Sequence, residues 1–410
     1  METFDEQEII MASITGEDKP GLTSCLSAII AKYNATILDI GQADIHNSLS
    51  LGIMFIAEQK NSGNILKEML FKSCELGVQI RFSPISIEEY NRWVSLQGKN
   101  RYIVTLLGRK ISAGLIAEVS RVLAEQGLNI DAITRLTGRI PLNADMEKHG
   151  QTRACVEMSV RGTPKDRPFL HGEFMRISQE MGYDISFQED NLYRRNRRLI
   201  CFDMDSTLIQ TEVIDELAIR AGVGDEVKAI TESAMRGEID FCESFKRRVS
   251  LLKGLDESVM KDIAENLPIT EGVARTLKIL KQYGYKIAIL SGGFTYFGNY
   301  LKQKFDIDFV YANELEIKDG KLTGNYVGDI VDGKRKAELL KLIAQLEHLD
   351  LQQVIAVGDG ANDLPMLNIA GLGIAYHAKP KVKENAKQSI SSIGIDGVLY
   401  MLGFKDSYIQ

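Results

Sequence analysis

Little in this chain of 410 residues points to an extracellular or membrane setting. Cysteine is scarce: Cys25, Cys74, Cys155, Cys201 and Cys242 are odd in number, scattered, and in no CxxC pair. That gives a disulfide framework no basis, and the five are expected to be reduced core residues. No apolar run approaches the length of a membrane span. Met1 to Glu8 is acidic and lacks the charged-then-apolar layout of a signal peptide. There is no basic excess either. The net charge of -7 favours solubility and argues against nucleic-acid binding. The five histidines are dispersed, and only His377, beside an expected strand end, stands out, as a surface or cap-packing residue. These absences leave a cytoplasmic enzyme as the expectation. What is present fits that: 44% hydrophobic and 26% charged residues suit globular domains with real cores. The length suits roughly two to four of them.

Residues 8 to 95 alternate as β-α-β-β-α-β, the ferredoxin-like order. The expected strands run over 8–14, 35–45, 51–57 and 78–85, with helices from Leu22 and over 65–76. The same order returns from about residue 100, with strands over 102–107, 128–136, 155–160 and 183–188 and helices over 115–126 and 169–181. Ile29 to Ile40 and Val122 to Ile133 both run from a helix through a small turn into an apolar strand carrying one aspartate, offset by one position. The second copy carries a polar insertion, Gly138 to Thr152, expected to be loop. These repeats resemble ACT domains, small amino-acid-sensing modules. The resemblance implies that Asp18, Lys19, Pro20 and Gly21 form a turn holding an effector amino acid, with serine expected at a subunit interface of a homodimer. A turn ahead of a helix offers free backbone N–H groups to a carboxylate. The second copy has Gly108 to Gly114 there and departs from the pattern, which favours packing or dimerisation for it. Tyr193 to Arg198 is a basic run, expected to be a solvated linker into the last domain.

Leu199-Ile200-Cys201-Phe202 is an apolar run of strand length that ends abruptly in Asp203-Met204-Asp205-Ser206-Thr207. Two carboxylates so close repel by ~1 kcal/mol in water and ~4 at an effective dielectric of about 20. A cation or a proton must offset that, which suggests a phosphoryl-transfer site with a divalent metal. Two more apolar runs end similarly: Lys286 to Leu290 at Ser291-Gly292-Gly293, and Val354 to Val357 at Gly358-Asp359-Gly360-Ala361-Asn362-Asp363. Helical segments over 272–283, 297–305 and 337–347 separate them. Strands alternating with helices imply a parallel sheet, whose strands share one carboxyl edge, so the three polar clusters should converge there. Gln210 to Leu267 breaks the alternation and is expected to be an inserted helical cap that excludes water.

These motifs, with Lys336, resemble those of the haloacid dehalogenase superfamily of phosphatases. The cap stretches Glu212 to Glu216, Met235, Phe241 and Lys246 to Lys253 resemble the phosphoserine phosphatases within it. The architecture so implied is a Rossmann-like α/β core over 191–410 with a helical cap at about 210–268, preceded by ferredoxin-like, ACT-like α+β domains over 1–97 and 98–190. The resemblance implies hydrolysis of O-phospho-L-serine to L-serine and phosphate, the last step of serine synthesis, through an aspartyl-phosphate. Asp203 is then the nucleophile and Asp205 the acid–base. Mg²⁺ takes side-chain oxygens of Asp203 and Asp359 and the backbone carbonyl of Asp205, with Asp363 supporting it. Ser291, the Gly292 N–H and Lys336 hold the phosphate, and Asn362 joins the substrate set. Lys334 rivals Lys336, though the spacing to Glu338 favours the latter. Glu212 pairs with the substrate ammonium, Arg248 with its carboxylate (Arg247 being the register alternative), and Met235 and Phe241 shield the site. Two other readings stay open: action on another small phosphorylated metabolite, and an amino-acid sensor with a vestigial phosphatase domain.

Overall fold

The computed structural model describes residues 7–95, 100–139 and 152–409, and within them all side chains but that of Met235. Most of the 138–152 insertion therefore lies outside the described residues. The chain divides into two compact units, Met1–Lys99 and Asn100–Gln410.

The first unit pairs β1 (Gln7–Glu17), β2 (Thr36–Ile45), β3 (Ser48–Glu58) and β4 (Gln79–Ile85) into an antiparallel sheet of order β2-β3-β1-β4. Helices Leu22–Lys32 and Gln59–Leu76 cover one face, around Ile14, Leu26, Ile30, Phe55, Ile65 and Met69. The second helix starts at Gln59, six residues before its apolar periodicity does (from 65), because its first turns are polar and largely exposed. It stops at Gly77, whose φ of 69° only glycine adopts without strain. A further helix, Ile87–Ser95, follows, without a buried residue to signal it.

In the second unit, β5 (Arg101–Gly108), β6 (Asn129–Arg135), β7 (Ala154–Arg161) and β8 (Asp184–Glu189) repeat that sheet as β6-β7-β5-β8, covered by helices Ala113–Glu125 and Arg167–Met181. The repeat extends to a backbone irregularity. The register shifts between Ile37 and Asp39 in β2, and between Ile130 and Ala132 in β6. The one-position offset of Asp39 and Asp131 thus falls on the bulge itself.

The α/β core is a seven-stranded sheet. Its strands are β9 (Leu199–Phe202), β10 (Lys286–Phe294), β11 (Phe309–Lys318), β12 (Lys321–Val327), β13 (Val354–Gly358), β14 (Leu372–Tyr376) and β15 (Gln388–Ile390), in the order β12-β11-β10-β9-β13-β14-β15. The expected parallel β9, β10 and β13 are there; the β11–β12 hairpin and the outer β14 and β15 were not legible in the sequence. All four β9 residues are fully buried, as a central parallel strand requires. Four helices, Val213–Ala221, Gly224–Met235, Phe241–Ser250 and Ser258–Glu265, form the expected cap. A bridge between Ile209 and Ile269 closes its two connections side by side.

Two expectations need correction. The basic run is no solvated linker: Leu192–Arg195 is a short helix, and Arg194 and Arg197 are each 5% exposed. Of the five free cysteines only Cys155 and Cys201 are buried, Cys25 and Cys242 are half-buried, and Cys74 is exposed. His377 is an exposed residue, its Nε2 3.2 Å from the Ile393 carbonyl.

Candidate active site

Parallel pairing of Leu199 with both Lys286 and Val354 puts the carboxyl ends of β9, β10 and β13 side by side. Asp203 leaves β9 still bonded to the sheet, its N–H donating to the Val357 carbonyl at 2.9 Å. Lys336, on helix Gly333–Leu346, is fully buried, whereas Lys334 is exposed, so burial separates the two rival lysines. The Lys336 Nζ lies 2.9 Å from Asp203 Oδ1 and 2.7 Å from Asp363 Oδ1. A buried ammonium is tolerable only with such partners. Burial opposes its charge, but Asp203 and Asp363 outweigh that and hold it above the usual lysine range.

Carboxylate oxygens of Asp203, Asp359 and Asp363 all lie within 4.8 Å of one another. Burial, reinforced by Asp363, pushes the Asp203 carboxyl well above its ordinary range, against the pull of Lys336. Burial and Asp363 likewise push Asp359 to about 7. Thr207 donates to Asp359 Oδ1 at 3.2 Å. Asp363 uses both its oxygens elsewhere, one on Lys336 and one accepting the Gly360 N–H at 3.0 Å. These are hard oxygen donors that repel one another, the donor set that suits a small divalent cation.

The Asp205 carboxylate points away from that cluster. Its Oδ1 accepts the Val213 N–H at 2.9 Å and its Oδ2 the Ser291 hydroxyl at 3.4 Å. Burial, then Glu212, raises it to about 8. Ser291 Oγ in turn accepts the Gly293 N–H at 2.9 Å. Gly293 has to be glycine, since a Cβ there would sit 2.2 Å from Asp205 Oδ2. Phe241 lies over Gly292, its Cζ 3.0 Å from where a Cβ would be.

Of the cap residues, Arg248 faces inward, half-buried, with Asp215, Glu212 and Asp205 offsetting the burial that lowers its pKa. Arg247 turns outward to Glu243 at 2.6 Å. Glu212 accepts the Ser206 hydroxyl at 2.8 Å. Asn362 sits in a single 3₁₀ turn, Ala361–Asp363, between Asp359 and Asp363. The Met235 side chain lies outside the described residues. In the first unit, Asp18 to Gly21 form an exposed turn, with the Asp18 N–H on the Asn47 carbonyl at 3.0 Å and Gly21 at φ 91° before the helix.

Three contributors escaped sequence reading. Asn313, 1% exposed, donates to the Gly292 carbonyl at 2.8 Å and accepts the Val331 N–H at 2.8 Å, so it orients the glycine loop from β11. Thr207 steadies Asp359. Ser206 takes a left-handed φ of 55°, an outlier costing roughly 1 kcal/mol that lets its hydroxyl reach Glu212. For Thr207 and Ser206 the adjacent motif was a usable signal; for Asn313 there was none.

A lysine-bridged carboxylate cluster at the carboxyl edge of a parallel sheet, under a helical cap, defines a haloacid dehalogenase-like hydrolase. The model of that family matches residues 197–371, and that of the ACT domain residues 8–83. The likeness continues along the whole chain. It is 38% identical over 402 residues to a phosphoserine phosphatase of Mycobacterium tuberculosis, covering 98% of this chain and 94% of that protein. It is 37% identical over 401 residues to the phosphoserine phosphatase of Streptomyces coelicolor, covering 98% and 93%. A crystal structure of a probable phosphoserine phosphatase from Vibrio cholerae aligns with a TM-score of 0.58 at 34% identity, covering 74% of this chain and 86% of that one. The chain belongs to the phosphoserine phosphatase family.

Proposed function

We propose that this chain hydrolyses O-phospho-L-serine to L-serine and phosphate, as the last step of serine synthesis, through an aspartyl-phosphate on Asp203. The observation that carries the reading is the buried Lys336 ammonium between Asp203 and Asp363. Asp203 Oδ1 is held by Lys336 and by the Met204 N–H at 2.8 Å, which leaves Oδ2 to attack phosphorus. Asp205, pushed up to about 8 by burial and Glu212, gives a proton to the leaving serine oxygen and then takes one from the attacking water. Lys336, the Ser291 hydroxyl and the Gly292 N–H take up the charge that develops on the phosphoryl oxygens. Asp203, Asp359 and the Asp205 carbonyl would hold Mg²⁺, which when bound neutralises part of the phosphate charge. Asp363 supports that set through Lys336.

Arg248 holds the substrate carboxylate and Glu212 its ammonium. Phe241, Met235 and Asn362 complete the enclosure. Phosphate release from phosphoserine, measured with and without Mg²⁺, tests the reading. Asp203→Asn is expected to lower it by about three orders of magnitude or more. Arg248→Ala is expected to raise KM for phosphoserine by about 30-fold while sparing phosphate esters that lack a carboxylate. An equal loss on all esters would instead favour another small phosphorylated metabolite as substrate.

The Asp18–Gly21 turn, at the start of helix Leu22–Lys32, is the proposed seat of serine as effector, in a cytoplasmic homodimer. Serine titrated into the wild-type chain and into Asp18→Ala checks this by calorimetry, with sedimentation giving the assembly. Equal heats from both chains would remove the effector assignment.

A further inference from the structure

The run expected to be a solvated linker contains the least satisfied cation among the described residues. Arg194 and Arg197 are equally buried, yet they differ. Arg194 Nη2 meets Glu157 at 2.5 Å. Among the described residues Arg197 has no ion pair, and its buried Nε and Nη1 have no hydrogen-bond partner. Burial, then repulsion from Arg194, pushes its guanidinium down to about 10. A buried, unpaired charge is strongly unfavourable, and a folded chain keeps one only where something compensates it.

Arg197 lines a cavity of about 580 Å³ between the second ferredoxin-like module and the α/β core. Gln352, just before β13, and Leu372, the first residue of β14, line it too, so it opens at the amino edge of the sheet, away from Asp203 at the carboxyl edge. A second residue with an orphan atom, Gln188, lines the same cavity. Gln188 is 6% exposed; its amide donates to Ser186 Oγ and to the Met401 carbonyl, while its Oε1 is buried without a donor. Phe174 and Phe187 supply an apolar wall, and Lys387 adds a cation at the rim, where Glu384 is also exposed. Arg167, also lining it, is already engaged by Glu189 at 2.9 Å.

A cationic donor and a neutral acceptor, both buried and unsatisfied around one cavity, call for a molecule with the complementary pair. We propose that this seam binds a small oxyanion that also carries a hydrogen-bond donor, its carboxylate or phosphate on Arg197 and its hydroxyl or ammonium on Gln188 Oε1. Such a ligand bridges the module and the core and supplies the charge that Arg197 lacks.

Calorimetric titration of the full chain with orthophosphate and, separately, with glycolate tests this. At least one probe is expected to give a binding event that persists in Asp203→Asn, weakens about ten-fold or more in Arg197→Met and weakens less in Lys387→Ala. A phosphate-only event assigns a phosphate ester and a glycolate-only event a hydroxy acid; both support the site. Gln188→Glu keeps the test sharp should Arg197→Met fail to fold. It adds a carboxylate to the lining that Gln188 shares with Arg197, so it should abolish the binding of an oxyanion. No event with either probe, or events indifferent to both Arg197 and Gln188, would overturn the proposal.

Discussion

The two ferredoxin-like modules share a strand order, a helix pair and a bulge, yet they bury themselves differently. In the first, β1 buries Ile10, Ala12 and Ile14 and exposes Ser13 and Thr15, the alternation of a sheet with one covered face. In the second, all of β5 after Arg101 is buried, because the face opposite the helices lies on the α/β core. Leu107, Leu136 and Cys155 accordingly join the core's own hydrophobic cluster, while the first module's cluster is closed on itself. Polar contacts fasten the same seam. Buried Asp184 accepts the Ser391 and Ser392 N–H groups at 2.8 Å each. Gln388 exchanges hydrogen bonds with the Phe187 backbone at 3.3 and 3.0 Å. Arg109 grips Glu271 bidentately at 2.8 and 2.7 Å, two residues from the Ile269 bridge that closes the cap, and Arg153 meets Asp396. A duplicated fold is thus free to change roles. The copy that matches the ACT domain keeps its exposed turn, and the other has become part of the catalytic unit.

Deletion breaks this contrast most severely. A chain starting at Asn100 is expected to fold and keep phosphate release, whereas one starting at residue 191 should be insoluble or molten. The latter uncovers the surface under Leu107, Leu136 and Cys155, worth roughly 1.5–3 kcal/mol for each large side chain. Circular dichroism and an activity assay check both. Point substitutions at matched positions come next. Leu107 pairs with Asp184 as Thr15 pairs with Gln79. Leu107→Ala should cost about 2–5 kcal/mol in denaturant unfolding, and Thr15→Ala, at an exposed site, within about 0.5. Asp184→Ala strands two half-buried N–H groups and should cost about 1–3 kcal/mol, against near zero for Gln79→Ala.

The smallest effect is a pH dependence. Hydrogen bonding to Arg109 holds the Glu271 carboxyl below its ordinary value. Its contribution is therefore present above the unfolded pKa of about 4.3 and lost as pH falls through the folded value. Side-chain exposures of 37% and 26% limit it to about 0.5–1 kcal/mol. Arg109→Ala should lower stability by that amount at pH 7 and narrow the gap from wild type below pH 4, as thermal unfolding would record. A gap that did not change with pH would remove Glu271 as the titrating partner.

The duplication, the parallel core and the carboxylate motifs were legible because each is written locally. Strand and helix periods repeat, and a strand's end is marked where apolar residues give way to aspartates or glycines. The β11–β12 hairpin was missed because its exposed strands alternate weakly. The fates of Arg194 and Arg197 were missed because a basic run looks the same whether it is solvated or folded under a neighbouring module.

By itself, the sequence marked the polar clusters that end β9, β10 and β13 and the sheet edge on which they gather, since parallel strands leave no other arrangement for their carboxyl ends. Only the tertiary structure showed that Lys336 is buried and Lys334 exposed, and that Arg248 turns inward and Arg247 outward, because burial depends on what packs against a helix. It also decided that the second module is welded to the core, for a sheet's second face is covered or bare according to a partner distant in the chain.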